Sequence, residues 1–350
     1  MDVQTRLSLI EKQPICEIIT RKELLELLEQ EAHPKHYIGF EISGKVHIGS
    51  GLITALVLKD FIKAGIKPTI FFADYHAWIN GKLGGDLEKI QKVAKGYFKQ
   101  AFISLGLEEG SVRYVLASEI YDKDYWKLVL EISKKTTINR MLRCTTIMGR
   151  TRREASSSAF VLYPAMQAAD IFYLGVDIAH AGTDQRKVHM LAREISPRRL
   201  VAVHHKLLMG LEGPKKMGIE EQEKEDIEVS SKMSKSKPSS CIFIHDSEEE
   251  IKRKIASAFC PIKQTENNPI LQMCQYLIFR EEKSSLKVAR PAKFGGDVEF
   301  ASYNELEAAY SQGQLHPADL KNALAEHLCQ MLEGPRKYFE AHPELVAQVE

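Results

Sequence analysis

The chain has only two tryptophans and no pair of cysteines at C-x-x-C spacing. Its six cysteines, at 16, 144, 241, 260, 274 and 329, fall at irregular intervals, so neither a zinc site nor a disulfide framework is suggested. Thiols scattered this way suit a reducing cytosol, and a cytoplasmic protein is expected. Long apolar runs are missing too. The most apolar stretch, AFVLYPAMQAADIFYLGVDIA, is broken by Asp170 and Asp177, which makes it a buried element and not a membrane span. The opening MDVQTRLSLIEKQPICEII carries early acids and no extended apolar segment, against a signal peptide. There is no strong excess of charge of one sign: the formal net charge is +1, where a basic nucleic-acid binder usually carries more. Internal repeats and low-complexity tracts are absent as well.

What is present is a folded chain, 44% hydrophobic and 27% charged, whose 350 residues exceed one ordinary core and so predict two domains. YIGFEIS (37–43) reads as a strand, GKVHIGSGL as a turn, ITALVLKDFIKAG as a helix and KPTIFFAD as a buried strand, together a βαβ unit. Its crossover turn carries Gly44, His47, Gly49 and Gly51 at the mouth where α/β sheets place ligands. The turn matches neither G-x-G-x-x-G nor the P-loop. Further along, an amphipathic stretch (86–106) precedes a strand VRYVLAS (112–118) and helical sequence to about 153. GVDIAHAGTDQRKVHMLAREI continues as strand, turn and helix, and LVAVHH as another strand. From about 245 the segments SEEEIKRKIASAF, YNELEAAYSQ and PADLKNALAEHLCQMLEGPRKYFEAH are charged amphipathic helices, which places a boundary near 240.

Three features carry chemistry. KMSKSKPSS (232–240) concentrates lysine beside an acidic run, EEQEKEDIE (220–228). It reads either as a solvated linker or as an anion-gripping loop in which Lys232 and Lys235 act as point charges. KKTTINRMLRCTTIMGRTRR (134–153) is basic without an acid, an exposed helix face or a phosphate-facing surface. Tyr163, Gln167 and Asp170 fall at i, i+4 and i+7 on one helix face amid apolar neighbours, so they form either a solvent face or a buried polar stripe that needs partners.

HIGS at 47–50 in the first βα turn and KMSKS at 232–236 after the last strand resemble the two signatures, HIGH and KMSKS, of class I aminoacyl-tRNA synthetases. YIGFEISGKVHIG, YPAMQAADIFYLGVD, AGTDQRKVHMLARE, KFGGD and LHPADLKNA are similar to the tyrosyl-tRNA synthetases of the archaeal and eukaryotic branch, over nearly the whole chain. The resemblance implies an α/β fold: a Rossmann-like parallel-sheet catalytic domain with an inserted helical connective segment, then a mostly α-helical C-terminal domain. The corresponding division is an N-terminal helical segment (1–30), a catalytic domain (31–240) and an anticodon-binding domain (241–350). Within the catalytic domain the resemblance sets a connective or dimer region at 118–160 and the lysine loop at 229–240.

By the same resemblance His47, Lys232 and Lys235 would be catalytic. ATP would be held by these and by Gly44, Gly49, Ser50, Gly182, Asp184, Met233, Ser234 and Ser236. Ser50 stands where the second histidine of HIGH is usual; it can donate one hydrogen bond but carries no charge. Tyr37 and Asp170 would bond the phenolic hydroxyl of tyrosine, and Tyr163, Gln167 and Gln185 its α-amino group. Gly39, Glu41, Phe71 and His76 would complete the amino-acid pocket. Arg143 and Arg186 would contact the first base pair of the tRNA acceptor stem, Lys187 would also bind tRNA, and Phe294, His316 and Asp319 would hold the first anticodon base. The partners implied are tRNA(Tyr), L-tyrosine, ATP with magnesium on its phosphates, and a second copy of the chain in a homodimer. No dedicated metal cage is expected, because acids at ligand spacing are lacking. Alternatives are a tryptophanyl-tRNA synthetase, an adenylyl- or cytidylyltransferase with an H-x-G-H turn, or a non-catalytic synthetase-like RNA-binding protein.

Overall fold

The computed structural model describes residues 1–149, 157–196, 198–214, 231–235, 237–281 and 283–350, without the side chain of Phe294. Backbone contacts divide the chain into two compact units: one of Met1–Gly44, Ala55–Lys206 and Glu344–Glu350, the other of Lys45–Thr54 and Leu207–Pro343.

The first unit is built on six strands: β1 (Ile15–Ile19), β2 (Lys35–Phe40), β3 (Lys67–Phe72), β4 (Arg113–Leu116), β5 (Ile178–Gly182) and β6 (Val201–His205). They lie in the order β1-β6-β5-β2-β3-β4, and all pair in parallel except β1, which runs antiparallel to β6. Pro68 to Phe72 and all of β5 and β6 are buried. Strands covered on both faces need continuous apolar sequence, and this is why KPTIFF and VAVHH show no alternation. From β2 the chain winds outward to β3 and β4, then returns to the other side of β2 as β5. That reversal makes the carboxyl ends of β2 and β5 the topological switch point, where open α/β sheets bind ligands.

Residues 1–30, expected to be helical, hold two helices, Val3–Ile10 and Arg21–Gln30, around the edge strand β1. The second helix starts on a capping box: the Thr20 hydroxyl accepts from Glu23 N–H and the Glu23 carboxylate accepts from Thr20 N–H. Helix Ala159–Tyr173 contains Pro164 and buries most of its length beneath the sheet's switch point. Tyr37, Phe71, Met166, Ala169 and Leu191 share one apolar core there, each large side chain contributing about 2–3 kcal/mol by burial.

In the second unit Glu248–Ser257, Tyr303–Gln312, Pro317–Met331 and Glu333–Ala341 are helical, as their periodicity predicts. Helix Glu248–Ser257 packs on Pro317–Met331 through buried Ile251 and Ile255. A short antiparallel pair, β7 (Leu286–Val288) and β8 (Val298–Phe300), was not foreseen, since three residues are too few to display alternation.

Candidate functional site

In the second unit the turn bearing His47 hangs on the segment after the lysine loop. His47 and Phe243 form an antiparallel bridge, with Ile48 N–H donating to Ile242 O (2.9 Å) and Ile244 N–H to Val46 O (3.1 Å). Gly51 N–H donates to His47 O at 2.8 Å, and so does the Ser50 hydroxyl at 3.3 Å. Ser50 therefore serves the turn itself. A Cβ on Gly49 would sit 3.1 Å from His47 Nδ1, and one on Gly51 would be 2.5 Å from Val46 Cγ1. Glycine at 49 thus lets the imidazole fold back over its own turn, and glycine at 51 makes room for Val46.

Residues 231–235 are fixed against the same unit. Met233 is buried and donates its N–H to Leu208 O at 2.7 Å, while Lys232 bridges Met209. The His47 imidazole is pushed down to about 3, first by burial and then by the charges of Lys235 and Lys232. The imidazole is thus neutral, keeps a donor N–H, and has both lysines close to it. One neutral imidazole donor and two ammonium charges form an arrangement suited to polyanionic oxygen. Ser236 lies outside the described residues.

In the first unit the stripe Tyr163–Gln167–Asp170 is not a solvent face: Tyr163 is 6% exposed and Asp170 1%. The Tyr163 hydroxyl donates to Glu41 Oε1 (3.3 Å), which also accepts from Asn80 Nδ2 (2.7 Å); Glu41 Oε2 lies 3.3 Å from Lys82 Nζ. Gln167 Nε2 donates to Gln185 Oε1 (3.2 Å), and Gln185 Nε2 to Ile147 O (3.1 Å). Gly182 ends β5, and the half-buried Asp184 sits in the turn that follows.

At the other end of the stripe the two oxygens of Asp170 differ. Oδ1 accepts from the hydroxyls of Tyr121 (2.5 Å) and Tyr125 (3.0 Å), whose rings stack at 3.6 Å. Oδ2 is buried without a hydrogen-bond partner, 3.7 Å from His76 Nε2. Burial pushes the carboxyl up to about 8 against the pull of the two hydroxyls, and Asp74 adds to the rise. Tyr37 lies near enough for the Asp170 charge to help burial push its phenol up. A Cβ on Gly39 would come within 2.5 Å of the Tyr37 hydroxyl, so glycine there leaves room for it. Phe71 packs on Tyr37 at 5.6 Å and His76 edge-on to Tyr163 at 4.5 Å. Tyr121, Tyr125, Asn80 and Lys82 were not anticipated. Tyr121 precedes the N-cap Asp122 of helix Lys123–Lys135, which carries Tyr125, so helical spacing gave no sign that the two would meet.

Of the basic residues, Lys187 Nζ donates to Thr146 Oγ1 (3.3 Å) and Arg143 Nε to Asn139 O (3.3 Å). Arg186 Nε donates to both carboxylate oxygens of Glu17 at 2.9 Å; His204 Nδ1 lies 2.8 Å from Glu17 Oε2, and His189 Nδ1 3.0 Å from His204 Nε2. In the second unit His316 is the N-cap of helix Pro317–Met331, its ring nitrogen accepting from Ala318 N–H at 3.2 Å, and Asp319 sits half-buried in the first turn. The side chain of Phe294 lies outside the described residues. Among the described residues no group of three or more His, Cys, Asp or Glu side chains could hold a metal ion, and no helix is long and apolar enough to cross a membrane.

Comparison with known proteins gives a consistent picture. The family model described as tRNA synthetases class I (W and Y) matches residues 29–333. A tyrosine–tRNA ligase of Thermococcus sibiricus is 50% identical, covering 98% of this chain and 97% of its own. The crystal structure of a tyrosyl-tRNA synthetase from Pyrococcus horikoshii, complexed with L-tyrosine, superposes with a TM-score of 0.95 at 49% identity, covering 100% of this chain and 99% of that one. A tryptophanyl-tRNA synthetase from Aeropyrum pernix, at 20% identity and a TM-score of 0.65 over 94% of this chain and 84% of its own, shares the fold alone.

Proposed function

The chain belongs to the class I tyrosyl-tRNA synthetases, and we propose from that premise that it activates L-tyrosine with ATP and transfers it to tRNA(Tyr) with the residues described above. The tyrosine carboxylate attacks the α-phosphorus in line, pyrophosphate leaves, and a ribose hydroxyl of the terminal adenosine then takes the tyrosyl group from the adenylate. Little acid or base help is needed; alignment and stabilisation of phosphate charge do the work. His47, Lys232 and Lys235 hold the ATP phosphates, with Gly44, Gly49, Ser50, Met233, Ser234 and Ser236 forming the surrounding loops and Gly182 and Asp184 at the ribose. Magnesium would come with the nucleotide phosphates and would neutralise part of their charge, leaving His47, Lys232 and Lys235 to hold the rest.

The observation that carries the tyrosine reading is Asp170, with one oxygen occupied by two phenols and the other buried and unpartnered near Tyr37. A phenolic hydroxyl can donate to that oxygen while accepting from Tyr37; an indole N–H can only donate. Glu41, Tyr163, Gln167 and Gln185 suit an ammonium group, and Gly39, Phe71 and His76 frame the ring. ATP–pyrophosphate exchange with each of the twenty amino acids tests the assignment. Exchange with tyrosine is expected; exchange with none supports the non-catalytic reading, and preference for tryptophan overturns this one.

Selectivity is also expected to depend on pH. Asp170 is faced by Tyr37, Tyr121, Tyr125, His76 and Asp74, and its carboxyl is raised, so the charged form dominates only above about 8. A carboxylate left against the bare ring edge of phenylalanine costs more than a neutral carboxyl. The ratio of kcat/KM for tyrosine over phenylalanine should therefore rise with pH through that region, with the amino-group titration common to both substrates cancelling. A ratio that falls, or that Asp170→Asn does not flatten, counts against the assignment.

For tRNA, Arg143 and Arg186 serve the acceptor stem, Lys187 binds tRNA as well, and Phe294, His316 and Asp319 serve the first anticodon base, within an anticodon-binding region 241–350. His316 already caps its helix, so Asp319 contributes to that helix only through the dipole, about 0.3–1 kcal/mol. Asp319→Ala should weaken aminoacylation selectively for tRNA with its normal first anticodon base and shift Tm little. A large drop in Tm with unchanged discrimination would make Asp319 a helix-start residue only. A homodimer through the 118–160 region is supported by the exposed apolar residues Trp126, Leu130 and Ile138, and a cytoplasmic enzyme by its six free cysteines.

A further inference from the structure

We propose that Asp246 and Lys254 form a buried clamp on Phe243 that positions His47 for the ATP phosphates, making both of them positioning residues for adenylate formation; this rests on the reading of His47 given above.

Phe243 is the residue that stands opposite His47 in the backbone bridge. Its flanking residues make the two hydrogen bonds to the turn, Ile242 O accepting from Ile48 N–H and Ile244 N–H donating to Val46 O. Its own N–H points the other way and donates to Asp246 Oδ2 at 2.8 Å. The same oxygen accepts from Lys254 Nζ at 2.5 Å, and that ammonium lies 4.8 Å from the centre of the Phe243 ring. Phe243 is thus gripped at its amide by the carboxylate and on its ring face by the ammonium. Asp246 and Lys254 are each 4% exposed.

A buried ion pair is an uneconomical way to hold a fold together, since desolvation costs several kcal/mol per ion and apolar side chains of similar volume often serve as well. The helix that carries Lys254 does not need Asp246 to begin. Ser247 and Glu250 already form its capping box, and Ile251 and Ile255 already bury its inner face. What the pair supplies and apolar residues do not is a directed acceptor for Phe243 N–H, a group that would otherwise be buried and unpaired. The clamp fixes the tilt of the Ile242–Ile244 segment and, through the bridge, the position of His47.

Two double variants test this without leaving one charge buried alone. Asp246→Asn with Lys254→Met keeps a carbonyl oxygen for Phe243 N–H; Asp246→Leu with Lys254→Met does not. Tyrosine-dependent ATP–pyrophosphate exchange would be measured alongside tyrosine affinity and Tm. The asparagine double should keep kcat within about threefold of wild type. The leucine double should lose about 30- to 100-fold in kcat, the scale on which an ångström of misplacement is felt, with KM for tyrosine unchanged. Equal kcat in the two doubles, whether high or low, overturns the clamp. Should the leucine double fail to fold, the asparagine double alone decides: well below its Tm it must stay within threefold of wild-type kcat, and a larger loss overturns the proposal. His47→Asn separates the two readings. If it leaves exchange unchanged, the role of His47 itself is wrong; if it slows exchange while the doubles match, only the clamp fails.

Discussion

Alanine at Lys232 or at Lys235 is expected to slow formation of tyrosyl-adenylate by about 10²–10³ while leaving tyrosine affinity nearly intact. The motive is geometric. The charges of both lysines act on the His47 imidazole, and the loop is held by Met233 and the Met209–Lys232 bridge rather than hanging as a tether. Charge accumulates on the departing pyrophosphate only as the reaction proceeds, so groups that meet it there lower the barrier without tightening the ground state. The double variant should lose less than the product of the singles, because the two lysines act on one leaving group. Single-turnover adenylation separates chemistry from product release. Unchanged rates in both variants would return the segment to a solvated linker.

The second large effect concerns selectivity. Asp170→Ala, and to a smaller degree Tyr37→Phe, should abolish most of the preference for tyrosine over phenylalanine in kcat/KM. The size at stake is that already measured in a tyrosyl-tRNA synthetase, about 10⁵, and is not read from this geometry. Its cause is visible here. Asp170 Oδ2 is buried and unpartnered, and a substrate without a hydroxyl leaves it so. Tyr121 and Tyr125 hold the other oxygen, so in Asp170→Ala two further phenols lose their acceptor and the pocket is expected to slacken as well. Thermal stability and tyrosine affinity measured together distinguish that slackening from loss of recognition. Full discrimination retained in both variants would sink the assignment.

How much of this could be read from the sequence depends on the range of the interaction. The βαβ unit was legible because β2, its following helix and β3 each carry a pattern within a dozen residues. The polar stripe was legible because 3.6-residue periodicity puts Tyr163, Gln167 and Asp170 together whatever surrounds them. Its burial was not legible, since a helix face does not reveal what covers it. Strand β1 was missed because ICEII is short and lies between two strongly helical segments, and only its pairing with β6 makes it a strand. Tyr121 on Asp170, Glu17 on Arg186 and Asp246 beneath Phe243 join residues 49, 169 and 3 apart. The first two are tertiary contacts that leave no periodic trace. The third is local, yet it reads as an ordinary acid before a helix until the bridge to His47 is seen.

The arginine held by Glu17 illustrates how tautomers can carry order through a core. A carboxylate accepting from Arg186 needs a proton on His204 Nδ1; His204 Nε2 must then accept, so the proton on His189 sits on Nδ1. The only bare ring nitrogen left in the row is His189 Nε2, buried and without a partner. Burial and the neighbouring imidazole hold His189 well below its ordinary range, and burial lowers His204 against the pull of Glu17. An additional proton taken up by this row would have to settle where solvation is poorest. Burial thus opposes an extra proton on either imidazole, and in this one arrangement the Glu17 carboxylate accepts from Arg186 on one side and from His204 on the other.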